Sequence, residues 1–165
     1  MLEKVCAEII DALRGAGIDA GEKYSGGDVR EVKKPCIFVG ISGMKACAAG
    51  IGHYLGIEEH DDMTHSELYG LRCEIEIALD ICAPANTGRC AGTCAGLFDE
   101  ALAALSGLEG LSIQQANMSD GTAEAKSGLY KCPCMVRGSA FIVAESDEGA
   151  EFADFVLKGV LKNEC

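Results

Sequence analysis

Tryptophan is absent from this 165-residue chain, and aromatic residues of all kinds make up only 5% of it. That scarcity argues against a platform on which bases or sugars stack, since stacking needs several aromatic faces in a row. Basic residues are scarce too: fourteen Lys and Arg stand against twenty-six Asp and Glu, for a formal net charge of -12 and a pI near 4.6. Such a chain repels phosphate backbones and anionic lipid headgroups, because both are bound through basic side chains. Neither specific DNA binding nor a membrane partner is expected. Acidity still allows DNA nearby, since a conduit through which DNA slides works better when its wall does not hold phosphate. No apolar run approaches the roughly 18 residues that a membrane-crossing helix needs. Met1-Leu2-Glu3-Lys4 lacks the basic flank and apolar stretch of a secretion signal, so a soluble protein made in the cytoplasm is expected.

Catalytic motifs are missing as well. The Gly-rich stretches near Gly26 and Gly43 lack the Gly-Lys-Ser/Thr ending or the strand-to-helix setting of a phosphate cradle. No enzyme activity, nucleotide site or cofactor is expected, and there is no internal repeat.

What is present is enough apolar residue, 48%, for one hydrophobic core. Leu2, Val5, Cys6, Ile9, Ile10 and Leu13 recur at helical spacing, and Gly15 and Gly17 end that helix. A polar loop from Gly21 to Lys34 follows. Pro35 opens Cys36 to Ile41, read as a strand buried on both faces, and Ile51 to Ile57 alternates like a weak second strand. Glu58 to Ser66 reads as an exposed turn.

Leu71 to Ile81 alternates fully. Leu71, Cys73, Ile75, Ile77, Leu79 and Ile81 face one way; Arg72, Glu74, Glu76, Ala78 and Asp80 face the other, toward water or a partner. Pro84 ends the strand, and Asn86 or Thr87 is placed to cap a helix carrying the stripe Cys90, Cys94, Leu97, Phe98, Ala101, Leu102 and Leu105. Leu111 to Met118 and Leu129 to Ala144 form a loose hairpin, the second strand bent or bulged at Pro133 and Gly138, with a turn at Asp120-Gly121. Phe152 to Leu161 suits either a helix or an extended arm, with Gly159 favouring the arm.

Four cysteines could converge as metal ligands: Cys90 with Cys94, and Cys132 with Cys134. Structural zinc sites separate paired cysteines by two to four residues, and Cys90 and Cys94 lie on an apolar stripe where cysteine acts as a small hydrophobe. Buried, unligated thiols are the better reading. At about 6% of the chain, cysteine falls below the range of roughly 8 to 10% that marks a disulfide scaffold, so free thiols are expected. Cys90 near a helix N-terminus has a nucleophile's setting without a partner base, since His53, His60 and His65 all lie in or beside one loop. The segment Glu58-Glu59-His60-Asp61-Asp62-Met63-Thr64-His65 matches neither a calcium loop nor a zinc helix and reads as solvated. No metal site is assigned.

The order helix, loop, strand, strand, long strand, helix, strand, long strand resembles the tail terminator proteins of bacteriophages and related tail-like particles. It is carried by Leu2 to Leu13, Glu76-Ile77-Ala78-Leu79-Asp80, Gly96 to Leu102, Leu111-Ser112-Ile113 and Tyr130 to Phe141, without a short diagnostic motif. The cysteine load, the stretch from Gly43 to Ser66 and the acidic tail after Ala144 depart from the pattern. The resemblance implies an α+β fold: a mixed, mostly antiparallel sheet with two helices packed on one face. That domain would span residues 1–144, with 145–165 as an acidic extension or arm. It further implies a homo-oligomer, a hexameric ring that caps the tail tube, meets tube, sheath or neck proteins, and lets DNA pass. The particle's tail would be its location, after assembly in the bacterial cytoplasm. Subunit-contact or lumen candidates are Arg72, Glu74, Glu76, Asp80, Glu145, Asp147 and Glu148. The alternative is a small cytoplasmic metal-binding or redox protein using the four cysteines.

Overall fold

The computed structural model describes residues 2–23, 32–48, 54–59, 65–145 and 154–158. Helix α1 (Leu2–Gly15) buries Val5, Cys6, Ile9, Ile10 and Leu13, the stripe set by its sequence spacing. Its end is fixed by Gly17, which takes a positive φ of 85° that lets Ile18 N–H reach back to the Leu13 carbonyl at 3.0 Å. Ile18 and Leu13 are both buried in the core, so the cap also anchors the exit of the chain.

Among the described residues, eight strands form one sheet. They are β1 (Ala20–Glu22), β2 (Cys36–Ala48), β3 (Tyr54–Glu59), β4 (His65–Pro84), β5 (Leu111–Met118), β6 (Thr122–Glu124), β7 (Leu129–Glu145) and β8 (Asp154–Lys158). Helix α2 (Cys90–Ser106) follows β4 after a short 3-10 turn at Ala85–Thr87. β1 runs parallel to β2 and every other pairing is antiparallel, giving the α+β class with a mixed, mostly antiparallel sheet.

The long strands β4 and β7 are the spine, paired without a register break from Tyr69 opposite Ala144 to Pro84 opposite Leu129. Shorter strands line their outer edges in succession. β2 and then β3 run along β4, while β6, β5 and β8 run along β7. Residues 154–158 therefore add a strand to the sheet, the extended conformation that Gly159 favoured.

Because opposite residues of an antiparallel pair share a face, the register puts Ile37, Val39, Cys73, Ile75, Ile77, Leu79, Ile81, Cys132, Cys134, Val136 and Ala140 together. These join the α1 stripe and Cys94, Phe98, Ala101 and Leu105 of α2 in one cluster. Each fully buried Ile or Leu there contributes about 1.5–3 kcal/mol relative to exposure. α1 and α2 also touch each other.

Several local expectations change. The loop from Gly21 contains β1, because Ala20 to Glu22 pairs with Ile37 to Val39; residues 24–31 lie outside the described residues. β2 runs on to Ala48, and Phe38 and Gly40 are half-buried, so it is not covered on both faces. β3 and β4 reach Glu59 and His65, leaving only 60–64 of the expected turn, outside the described residues. Neither Asn86 nor Thr87 caps α2: both belong to the 3-10 turn, Gly88 then swings to a φ of 68°, and Arg89 occupies the cap position without a side-chain bond. β7 has no bulge against β4; the breaks lie in its neighbours, between Ile41 and Gly43 in β2 and between Ile113 and Gln115 in β5. Pro133 is accommodated in β7 because its backbone faces the gap between β6 and β5. There its carbonyl accepts from Ser119 N–H at 2.9 Å, and no ladder bond is asked of its nitrogen.

Candidate assembly surface

Alternation along β4 sends Arg72, Glu74, Glu76, Ala78 and Asp80 to the sheet face opposite the core residues. Register brings Lys45 opposite Glu74, Arg137 opposite Glu76, and Lys131 opposite Cys82. Ser42, Lys45, Arg72, Glu74, Pro133 and Arg137 are all exposed, so solvent reaches the middle of this face, whereas Gly70 and Val143 at one end and Cys36, Asp80 and Cys82 at the other are buried.

Four sequence candidates in β4 fall on it with unequal roles. Arg72 and Glu74 point into solvent. Glu76 is half-buried and accepts from Arg137 Nε at 2.8 Å. Asp80, expected to face water or a partner, is only 6% exposed. Its Oδ2 lies 3.0 Å from Lys23 Nζ and 3.4 Å from Lys131 Nζ. Lys23 follows β1 and lies across Gly40, whose missing side chain leaves room for the lysine stem. Parity alone gave Asp80 its face but not its burial, because the lysines that cover it come from β7 and from beyond β1.

Glu145 ends β7 opposite Asp154 of β8, beyond Arg72 on the same face by register, and nothing further is described of its side chain. Asp147 and Glu148 lie outside the described residues.

Register adds Glu124 of β6 to the same face. By register six cations, Lys23, Lys45, Arg72, Lys131, Arg137 and Lys158, thus share the face with six carboxylates, Glu74, Glu76, Asp80, Glu124, Glu145 and Asp154. The balance of zero contrasts with -12 for the whole chain. The acidity lies elsewhere: Glu3 and Asp11 on α1 and Asp99 and Glu100 on α2 are exposed. No single residue of the sequence shows this asymmetry, since the neutralising cations come from other strands.

The four candidate thiols are brought only partly together. Cys94 and Cys132 lie close enough to influence each other's titration, whereas Cys90 Sγ donates to the Pro84 carbonyl at 3.4 Å and Cys134 Sγ to the Cys132 carbonyl at 3.6 Å. Burial, reinforced by the Cys132 thiol, pushes Cys94 up to about 12; burial does the same to Cys134, also to about 12. Burial likewise raises Cys82 to about 11, against the opposing pull of Lys131. Thiols held this firmly in the protonated form are poor ligands and poor nucleophiles at neutral pH. Among the described residues no group of three His, Cys, Asp or Glu side chains is placed to hold a metal ion. The nine cysteines described are free thiols. Of the histidines, His65 is exposed at the start of β4, and His53 and His60 lie outside the described residues.

A cleft of about 220 Å³ lies between β1, residues 32–34 and the start of β2. Asp19, its carboxylate, is engaged by Lys34 at 3.3 Å, so no free acid faces the Cys36 thiol there. No helix among the described residues is long and apolar enough to cross a membrane. No protein-family model matches the chain, and no curated protein matches it.

Proposed function

We propose that this chain is a structural subunit of the bacteriophage tail-terminator kind, assembling into a ring that caps a tail tube and joins it to the neck. The observation that carries the reading is the open, charge-balanced face on the β4/β7 spine. Sixteen consecutive residue pairs make the spine, and its open stretch from Arg72 to Ala78 spans roughly 20 Å at about 3.3 Å per residue. A face of that kind suits subunit contacts or the wall of a passage.

Its charges fit a passage for DNA in a particular way. Lys23, Lys131 and Arg137 are held by Asp80 and Glu76, so the Glu76-to-Asp80 part of the face offers phosphate few cations free to replace counterions, while the part around Lys45 and Arg72 is left for subunit contact. Past such a neutralised wall DNA would slide without either strong repulsion or capture. A ring of six copies would still carry a strongly acidic exterior. Tube, sheath and neck proteins would meet the ring, not this face.

Negative-stain imaging of the purified protein, alone and mixed with a tail tube protein from the same genome, tests the reading. Rings of uniform diameter, or density at tube ends, are the expected result. A monomer at high concentration that leaves tube ends bare would refute it.

A further inference from the structure

We propose that the two-stranded arm formed by β3 and residues 65–69 of β4 docks on the open sheet face of a second copy of this chain, head to tail. The inference rests on the assembly reading above and names its contact.

The arm outruns the rest of the sheet. Its strands pair from Tyr54 opposite Tyr69 to Glu59 opposite His65, while β7 accompanies β4 only as far as Tyr69. Among the described residues, 65–68 pair with β3 alone. A two-stranded ribbon by itself is marginal in water, so a partner surface is the natural way to stabilise one. The arm is also where apolar surface is left uncovered: Tyr54 is 40% exposed, Ile57 56% and Tyr69 41%. The two tyrosines meet edge to face with ring centroids 5.7 Å apart, and Tyr69 Oη donates to Glu67 at 2.6 Å. Paired rings held on a projecting ribbon lose little side-chain freedom on binding, and aromatics are enriched at the centres of interfaces.

Charge selects the occupant. Between Lys45 and Arg72 the sequence carries five carboxylates, Glu58, Glu59, Asp61, Asp62 and Glu67, and no Lys or Arg. The exposed acids of α1 and α2 would repel such a segment. The open sheet face is electrically balanced instead, and at its Arg72 end two cations, Lys45 and Arg72, form no ion pair with any described residue. The arm continues the line of β4, whose later residues build that face, so it cannot fold back onto its own copy. Arm and face are different surfaces, and such a contact repeats from copy to copy until the rotation closes a ring.

Light scattering coupled to size exclusion tests this on the full chain, with circular dichroism confirming that each variant stays folded. An arm variant, Tyr54→Ser with Ile57→Ser and Tyr69→Ser, and a face variant, Lys45→Glu with Arg72→Glu, should each convert the wild-type oligomer to monomer. An equal mixture of the two should form dimers and stop there, because only one intact arm and one intact face remain per pair. A monomeric wild type, an oligomer unchanged by either variant, or a mixture that stays monomeric would overturn the proposal. Rings that persist in both variants would remove the arm contact and leave the tail reading standing. An arm-dependent oligomer that leaves tube ends bare would do the reverse.

Discussion

Replacing Asp80 should produce a rank order of stabilities that a simple surface ion pair would not. The carboxylate is 6% exposed and accepts from two ammonium groups, at 3.0 and 3.4 Å, while both lysine side chains are 44% exposed. Asp80→Ala removes two charge-assisted hydrogen bonds, and the lysines can recover much of their solvation by swinging outward. The expected loss is therefore about 1.5–3 kcal/mol, below the ~3–5 kcal/mol of a fully buried pair broken on one side. Lys23→Met or Lys131→Met alone leaves the carboxylate one partner and should cost about 0.5–1 kcal/mol. Removing both lysines strands a buried carboxylate, so the double variant should cost more than the two single losses together, by about 1 kcal/mol or more. Urea unfolding of the wild type and the four variants at one pH, comparing midpoints at constant slope, measures each term. Additive lysine losses, or an Asp80→Ala cost below about 0.5 kcal/mol, would refute the view that Asp80 is buried by its partners.

Three further outcomes follow from local geometry. A Cβ added at Gly138 would meet the Ser112 carbonyl oxygen at 2.8 Å, beside the β5 bulge, so Gly138→Ala should lower stability by about 1–3 kcal/mol in urea unfolding. Gly92 in α2 has nothing within 4 Å of such an atom, and Gly92→Ala should instead raise the thermal midpoint, by about 0.5–1 kcal/mol of helix propensity. For the thiols, both folded and unfolded states hold their protons below the ordinary value of 9.0; above it the unfolded chain ionises while buried Cys94 and Cys134 stay protonated to about 12 and Cys82 to about 11. The folded state then binds more protons, so stability should fall as pH rises above 9.0, by about 1.4 kcal/mol per pH unit for each thiol. Urea midpoints taken under reductant should show this decline, and a Cys94→Ala, Cys134→Ala variant should show a flatter one.

Much of the fold is legible in one dimension because it depends on periodicities the chain carries in itself. The α1 stripe ending at Gly17, the alternation of β4 from Leu71 to Ile81, the α2 stripe and the run from Leu111 to Met118 each follow from which neighbours along the chain are apolar. The net charge and the absence of catalytic motifs were equally plain. Pairing decided the rest. β1 is three residues long and becomes a strand only because β2 lies beside it, and Pro133 is permitted in a spine strand only because two neighbouring strands leave a gap there. Asp80 is buried by lysines at positions 23 and 131, distances along the chain that no local pattern spans. The neutral sheet face and the arm past Tyr69 come from the same source: register across strands, which the sequence encodes only through the packing of the whole core.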